Sequence, residues 1–402
     1  MERAISLLGL VTFVALCYAF SVNRKAVRWR TVAWGLGLQL GLGVFILKTP
    51  VGLALFEFLG ETVNRFLNFA DAGSEFVFGE DFTEHFFAFK VIPTIIFFSA
   101  CISILYHYQI LQRLVQGMAW GMMKTMQTSG AESLSCAANV FVGMTESPLM
   151  IKPYISKLTQ SELHAVMTGG FATIAGGVLA AYLSFGIPAE HLLAASVMSA
   201  PAALAISKLL YPETEKSVTQ GTVKMEVETT YANAIDAAAS GARDGLKLAL
   251  NVAAMLIAFL GLLAFVNAVL GGIGSWVGVP QLSLEWILSY LMAPVAWLMG
   301  VPWVDAAQVG VLLGKKTILN EFIAYLDLQS LIQNQAISPR AIAIATYALC
   351  GFSNIGSIAI QIGGIGAIAP HRQPDLARLG LRTMIAGSIA CFTTACIAGI
   401  LL

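Results

Sequence analysis

Apolar runs of roughly twenty residues recur along this sequence, as at Leu246–Leu270, and each is long enough to cross a hydrocarbon core ~30 Å thick as a helix. In lipid every backbone N–H and C=O must be satisfied within such a segment, so a helical bundle is the fold these runs permit. The remaining composition agrees. Apolar residues make up 57% of the chain and charged residues 11%, with a mean hydropathy of +0.77, a balance that soluble domains do not show. The sequence therefore predicts an all-α polytopic membrane protein, with room for about ten crossings, or fewer once re-entrant hairpins are subtracted. The net charge is zero, which gives no support to a nucleic-acid partner or a polybasic lipid arm. Cys17, Cys101, Cys136, Cys350, Cys391 and Cys396 lack CxxC spacing and read as small hydrophobes. The first apolar stretch has neither a basic leading region nor a small-residue cleavage site, so it reads as a first helix rather than a signal peptide.

Charge in the loops sets the orientation. A first span over about Ala4–Val22 is followed by Arg24, Lys25, Arg28 and Arg30, a short basic loop assigned to the cytoplasm. The second span, about Thr31–Leu47, returns outward to an acidic, Phe-rich stretch, Val51–Glu84, read as an amphipathic interfacial helix and loop. A third span, about Phe86–Tyr106, leads inward to Arg113 and Lys124. From Thr128 to Met150 the chain is too polar to face lipid, and a re-entrant hairpin fits it, with Lys152 and Lys157 marking an inner loop. The fourth span starts near Ser161 and is expected to unwind at its glycine-rich centre. The fifth covers about Leu192–Leu210. Tyr211–Lys247 is the longest polar stretch, placed in the cytoplasm, and the sixth span is Leu246–Leu270. Leu284–Met299, broken by Pro294, reads as an interfacial or lead-in helix. A second hairpin, about Asp305–Leu328, precedes a seventh span, about Ile342–Ala367, interrupted at Gly351–Ser357, and a last span ends near Leu402. The layout is about eight crossings plus two hairpins, with the order hairpin, span, span occurring twice in opposite orientations. It divides into residues 1–109, 110–210, 211–280 and 281–402.

Two carboxylates stand out at expected membrane depth. Glu321 follows Asn320 in the second hairpin and Glu146 follows Thr145 in the first. An intramembrane acid costs at least ~2.5 to 3.5 kcal/mol on insertion scales, so such residues face a cavity and bind something. Glu321 and Asn320, with Asn354 and Ser357 three apart on one helical face, offer donors and acceptors for a neutral polyhydroxyl ligand such as a sugar ring. The structural alternatives are an ion pair of Glu321 with Lys315 or Lys316, and a helix-capping role for Glu146 before Ser147-Pro148. Phe352 and Val178 read as packing or as the wall of a site for a planar ring. Asn139 and Thr173, with the carbonyls of Val142 and Ile174, supply hard oxygens suited to sodium, or hydrogen bonds across helices. No zinc spacing, phosphate loop or nucleophile elbow occurs, which gives no support to an ATP-driven pump or a hydrolase.

At these residues the sequence resembles the concentrative nucleoside transporter family. The signature Gly-x-Lys-x-x-x-Asn-Glu-Phe-x-Ala appears as Gly314, Lys316, Asn320, Glu321, Phe322 and Ala324, and the resemblance extends from about Thr31 to the C-terminus. It includes the Thr-Glu-x-Pro element, the Gly169–Gly176 run and Cys350–Asn354. The resemblance implies a homotrimeric sodium/nucleoside symporter of elevator type in a bacterial inner membrane, with no covalent chemistry. The two hairpins and the spans after them would move against a scaffold of the first three spans and the sixth. By position, Glu321, Asn354 and Ser357 would bind the ribose, and Thr145 and Glu146 the base edge, with Phe352 and Val178 against its faces. Asn139, Thr173 and the Val142 and Ile174 carbonyls would hold sodium. Gly143-Met144 departs from members with Gln after the glycine; a thioether cannot replace an amide that both donates and accepts. The pair resembles purine-preferring members and implies purine nucleosides. A proton-coupled carrier of the same fold, or a nucleoside-gated receptor or channel, are the rival readings.

Overall fold

The computed structural model describes residues 1–221 and 231–402, and every regular element among them is helical. Part of the long polar stretch, residues 222–230, lies outside the described residues. The helices are α1 (Glu2–Ala19), α2 (Trp29–Lys48), α3 (Pro50–Leu67), α4 (Ala70–Phe78), α5 (Ile92–His107), α6 (Ile110–Met126), α7 (Gly130–Ala138), α8 (Lys152–Ile155), α9 (Gln160–Ala172), α10 (Gly176–Ser184), α11 (Ala189–Leu210), α12 (Ala234–Val277), α13 (Leu284–Leu298), α14 (Trp303–Ile318), α15 (Glu321–Gln333), α16 (Pro339–Leu349), α17 (Ile355–Ile368) and α18 (Gln373–Leu401). A single π-helical turn, Phe87–Val91, extends α5 at its start. Among the described residues seven helical segments are long and apolar enough to cross a membrane, or eight if the bent pair α13 and α14 counts as one span. The halves α16 and α17 are each too short alone.

The bundle has an inside and an outside of different character. The windows spanning α9–α10 and α11 are each 89% buried, whereas those of α5 and α12 are 17% and 11% buried. The exposed shell carries Leu7, Val11, Phe45, Ile257 and Phe265, side chains that lipid tails solvate as well as protein does. Burial therefore says little about hydrophobic drive here, and small residues decide which helices touch. Gly245 of α12 lies where a Cβ would come 2.8 Å from the Ser99 Cβ of α5. Gly241 and Gly245 thus face Ser103 and Ser99, two small residues four apart on each helix, and the backbones approach closely.

Helix starts follow local chemistry. Ser129 and Glu132 form a capping box at α7, and Thr159 and Glu162 form another at α9. Lys208 of α11 lies 2.6 Å from Glu132 and 3.5 Å from Glu213, so the two capped ends share one buried ionic cluster. Asn320 caps α15 and Asn354 caps α17, each accepting from the backbone three residues on.

The structure revises several boundaries. Helix α6, which carries Arg113 and Lys124, is an amphipathic helix between the third span and the first hairpin. The first hairpin has unequal arms, α7 against a 3-10 turn (Ser147–Ile151) that runs into α8, so Lys152 belongs to the second arm rather than to an inner loop. Pro148 and Pro153 favour short turns there over a continuous helix. The second hairpin is longer than expected, α14 and α15 meeting at Leu319-Asn320. Helix α13 bends away from α14 by 115° and packs against it, so it supports the hairpin from outside. The fourth and seventh spans are broken where expected, between α9 and α10 and between α16 and α17.

Candidate functional site

The two broken spans meet at their breaks. The Phe352 N–H donates to the Thr173 carbonyl at 3.2 Å, and Gly351 has room for no side chain, since a Cβ would lie 2.6 Å from the Phe171 carbonyl. Each interruption thus supplies a partner for the other's freed backbone, the condition under which irregular chain survives at membrane depth.

Glu321, at the start of α15, is 4% exposed and points at this junction. Its Oε1 accepts from the Tyr182 hydroxyl at 3.0 Å and its Oε2 from the Asn354 amide at 3.1 Å. No ion pair joins Glu321 to a lysine among the described residues. Lys315 pairs with Asp327 at 2.8 Å and Glu285 at 3.3 Å, and the Lys316 Nζ donates to the Ala348 carbonyl at 2.8 Å. The ion-pair alternative is therefore not the arrangement formed. Asn320 spends its side-chain oxygen on the α15 cap, and Asn354 spends its own on the Ser357 N–H at 2.8 Å. These caps fix the hairpin tip and the second half-helix, leaving remaining donors for a ligand.

A cavity of about 1400 Å³ opens beside this group. Gly143, Met144, Thr145, Glu146, Val178, Asn320, Glu321, Phe352, Asn354 and Ser357 all line it, so residues from both hairpins and both breaks share one space. Glu146 is exposed to it and makes no capping bond, so the capping alternative is not formed either. The carboxylate of Glu146 folds back over Gly143, where any side chain would displace it. Thr145 packs on α17, 3.0 Å from where a Cβ on Gly364 would lie. The cavity is also lined by Ser103, Tyr106, Lys152, Asp244 and Lys247, contributions of α5, α8 and α12. Sequence patterning did not mark these.

The cation candidates divide differently. Val142 lines the cavity, while Asn139, Thr173 and Ile174 lie behind it, each at most 2% exposed. Asn139 donates to the Ser135 carbonyl at 3.0 Å, and its Oδ1 is buried with no partner. Thr173 donates to the Gly169 carbonyl at 2.9 Å, which leaves its hydroxyl oxygen as an acceptor. An unpaired buried acceptor costs about 1–3 kcal/mol, and acceptors without donors are what a hard cation needs. The residues present fit sodium.

Tyr182 is the site residue that sequence reasoning missed. It is the only polar side chain between Gly176 and Leu183, which is a faint signal on its own. Tyr182→Phe removes one of the two donors to Glu321, and the affinity for a ligand held by Glu321 is expected to fall by about 10- to 100-fold, in line with a lost bond to a charged group. Equilibrium binding of labelled adenosine, a ligand of the class that the family resemblance implies, measures it, and an unchanged affinity would remove Tyr182 from the site.

Paired broken helices and two hairpin tips around one cavity with a few convergent polar groups define a multi-pass membrane protein with the architecture of a carrier. The comparisons with known proteins place it further. The family model "Na+ dependent nucleoside transporter C-terminus" matches residues 191–399, its N-terminal counterpart residues 8–81, and a "Nucleoside recognition" model residues 88–189. The chain belongs to the Na+-dependent nucleoside transporter family. It is 51% identical to solute carrier family 28 member 3 of Eptatretus stoutii and 47% identical to sodium/nucleoside cotransporter 1 of Mus musculus, in both cases over its whole length. It spans 61% and 64% of those relatives, so about six tenths of their length is matched. Among solved structures, CNTnw in an inward-facing, substrate-bound state is 42% identical with a TM-score of 0.94, covering 100% of this chain and 98% of that one. A CNTnw variant in an outward-facing state is 40% identical with the same coverage and the same TM-score of 0.94. Overall likeness therefore does not separate the two states. The relatives are transporters, not enzymes.

Proposed function

We propose that this chain carries nucleosides across the membrane in symport with sodium, and that it accepts purine nucleosides. The observation that carries the reading is the joining of Glu321 and Asn354 by a hydrogen bond inside a cavity that Met144, Thr145, Glu146, Val178, Phe352 and Ser357 also line. Ribose hydroxyls suit Glu321, Asn354 and Ser357, and a base suits the space between Phe352 and Val178 with Thr145 and Glu146 at its edge. Sodium, the coupling ion in the family's description, would be held by Asn139, Thr173 and the carbonyls of Val142 and Ile174. There the buried acceptors of the first break would gain a positive partner, and the hairpin tip that borders the substrate would be held by it.

The cavity lining extends to Tyr106, Lys152, Asp244 and Lys247, at the ends of α5, α8 and α12 that the basic loops assign to the cytoplasm, and this supports an inward-facing state. Eight crossings with two inverted hairpins, a trimer, and elevator motion of the hairpin-bearing body against a scaffold complete the proposal, in a bacterial inner membrane. These finer points rest on the sequence layout and on family resemblance. The curated relatives described above come from animals.

Uptake of labelled adenosine and uridine into proteoliposomes tests the reading, with an inward sodium gradient or with choline replacing sodium. Sodium-dependent accumulation above equilibrium is expected. Uptake indifferent to sodium but driven by a proton gradient would move the coupling to the carboxylates, and equilibration without accumulation would indicate a channel. Met144→Gln restores a donor and acceptor at the base edge, so the adenosine-to-uridine uptake ratio is expected to fall about 5-fold or more. An unchanged ratio would separate Met144 from selectivity.

A further inference from the structure

The second repeat holds a buried side-chain charge where the first has an unpaired oxygen. With Thr145-Glu146 set against Asn320-Glu321, Phe141 and Lys316 fall at the same distance before each glutamate. Counted back from the glutamates, Lys316 therefore falls level with the stretch between Asn139 and Val142, the stretch read as holding sodium, although α14 ends nearer its glutamate than α7 does. Its side chain is 1% exposed. The Nζ donates to the carbonyl of Ala348, in the last turn of α16 just before the break, and lies beside the Cys391 thiol. It is also within electrostatic reach of Glu321.

Both breaks pose the same electrostatic problem. A half-helix that ends inside the membrane presents free carbonyls and the negative end of its dipole, and a cation near it is favourable. At α9 the local acceptors include the partnerless Asn139 Oδ1. At α16 an ammonium on a four-carbon stem already reaches the Ala348 carbonyl in the last turn. Lysine is almost never fully buried without a compensating partner, and here the compensation is Ala348 and the field of Glu321.

We propose that the Lys316 ammonium is a tethered cation that fills, in the second repeat, the place that exchangeable sodium takes in the first. The inference rests on the sodium site proposed above. It makes Lys316 a positioning residue, fixing the second hairpin tip against the α16 end and holding Glu321 in a positive field. It also means that the two breaks together take one exchangeable ion.

The test is equilibrium binding of labelled adenosine to purified protein across a series of sodium concentrations, since the slope of log affinity against log sodium counts the ions taken up with the ligand. The unaltered protein is expected to give a slope of about one. Lys316→Ser vacates space and charge together, so free sodium enters the second site and the slope rises toward about two, with weaker binding at low sodium. An unchanged slope in Lys316→Ser overturns the proposal, whether or not affinity falls. Where that variant does not give a monodisperse protein, Lys316→Met and Lys316→Arg decide. The methionine fills the space without charge, so binding is expected to weaken at least about tenfold at every sodium concentration, while arginine retains most of it. Binding by Lys316→Met within about threefold of the unaltered protein overturns the tethered-cation role. A slope of zero in the unaltered protein refutes the first sodium site instead, and is read without any Lys316 variant.

Discussion

Glu321→Gln is expected to reduce sodium-driven nucleoside uptake by about 100-fold or more while leaving the folded protein intact, because two losses coincide. The substitution is nearly isosteric, so packing at this 4%-exposed position is preserved. In the native arrangement both carboxylate oxygens accept, one from Tyr182 and one from Asn354. A glutamine places an NH2 against one of those donors, and a buried donor left facing a donor costs about 1–3 kcal/mol. The hydroxyls of a ribose would in addition lose a charged acceptor, worth a further ~1.5–3 kcal/mol. Uptake into proteoliposomes, normalised to protein with an unchanged gel-filtration profile and melting temperature, gives the number. Near-normal uptake would remove Glu321 from the substrate site and return it to a purely structural role.

Asn139→Ala separates a cation ligand from a packing residue by the sign of its effect on stability. The Asn139 Oδ1 is buried and unpartnered, so in the absence of sodium its removal relieves a desolvation cost, and the melting temperature in choline is expected to hold or rise once the lost Ser135 contact is offset. In sodium the outcome reverses. A cation that binds only the folded state stabilises it in proportion to the logarithm of its saturation, and losing one oxygen ligand is expected to raise the sodium half-saturation for uptake by about tenfold or more. The sodium-induced rise in melting temperature should therefore shrink or vanish in the variant. Equal sodium shifts in both proteins, or a variant destabilised alike in sodium and choline, would make Asn139 a cross-helix hydrogen-bonding residue and leave the cation without a place at the first break.

Much of the site was legible because polar groups at membrane depth are costly. Asn139, Thr145, Glu146, Glu321 and Asn354 stand out in an apolar chain without any knowledge of their neighbours. The breaks at Thr173 and Ser353 were legible for a related reason, since clustered glycines beside hydroxyl and amide side chains suit an unwound turn that faces protein rather than lipid. Their partners were not legible. Tyr182 reaches Glu321 across 139 positions of sequence, and nothing in the run Gly176–Ser184 indicates which way its hydroxyl points. Likewise Lys315 and Lys316 are adjacent and chemically identical, yet one pairs with acids at the hairpin's side while the other is buried against Ala348. Successive helical positions point about 100° apart, and only the packed neighbours decide what each direction meets.

The sequence by itself determined a helical membrane protein and the interruptions at which its polar groups gather, because hydrocarbon requires backbone groups to be satisfied within helices and makes polar side chains at depth costly. Only the tertiary structure decided that the two breaks hydrogen-bond to each other through Phe352 and Thr173, that both hairpin tips border one cavity, and that the Asn139 oxygen is left without a donor. Those are contacts between distant segments, set by how small residues let helices approach, and no local period in a sequence encodes them.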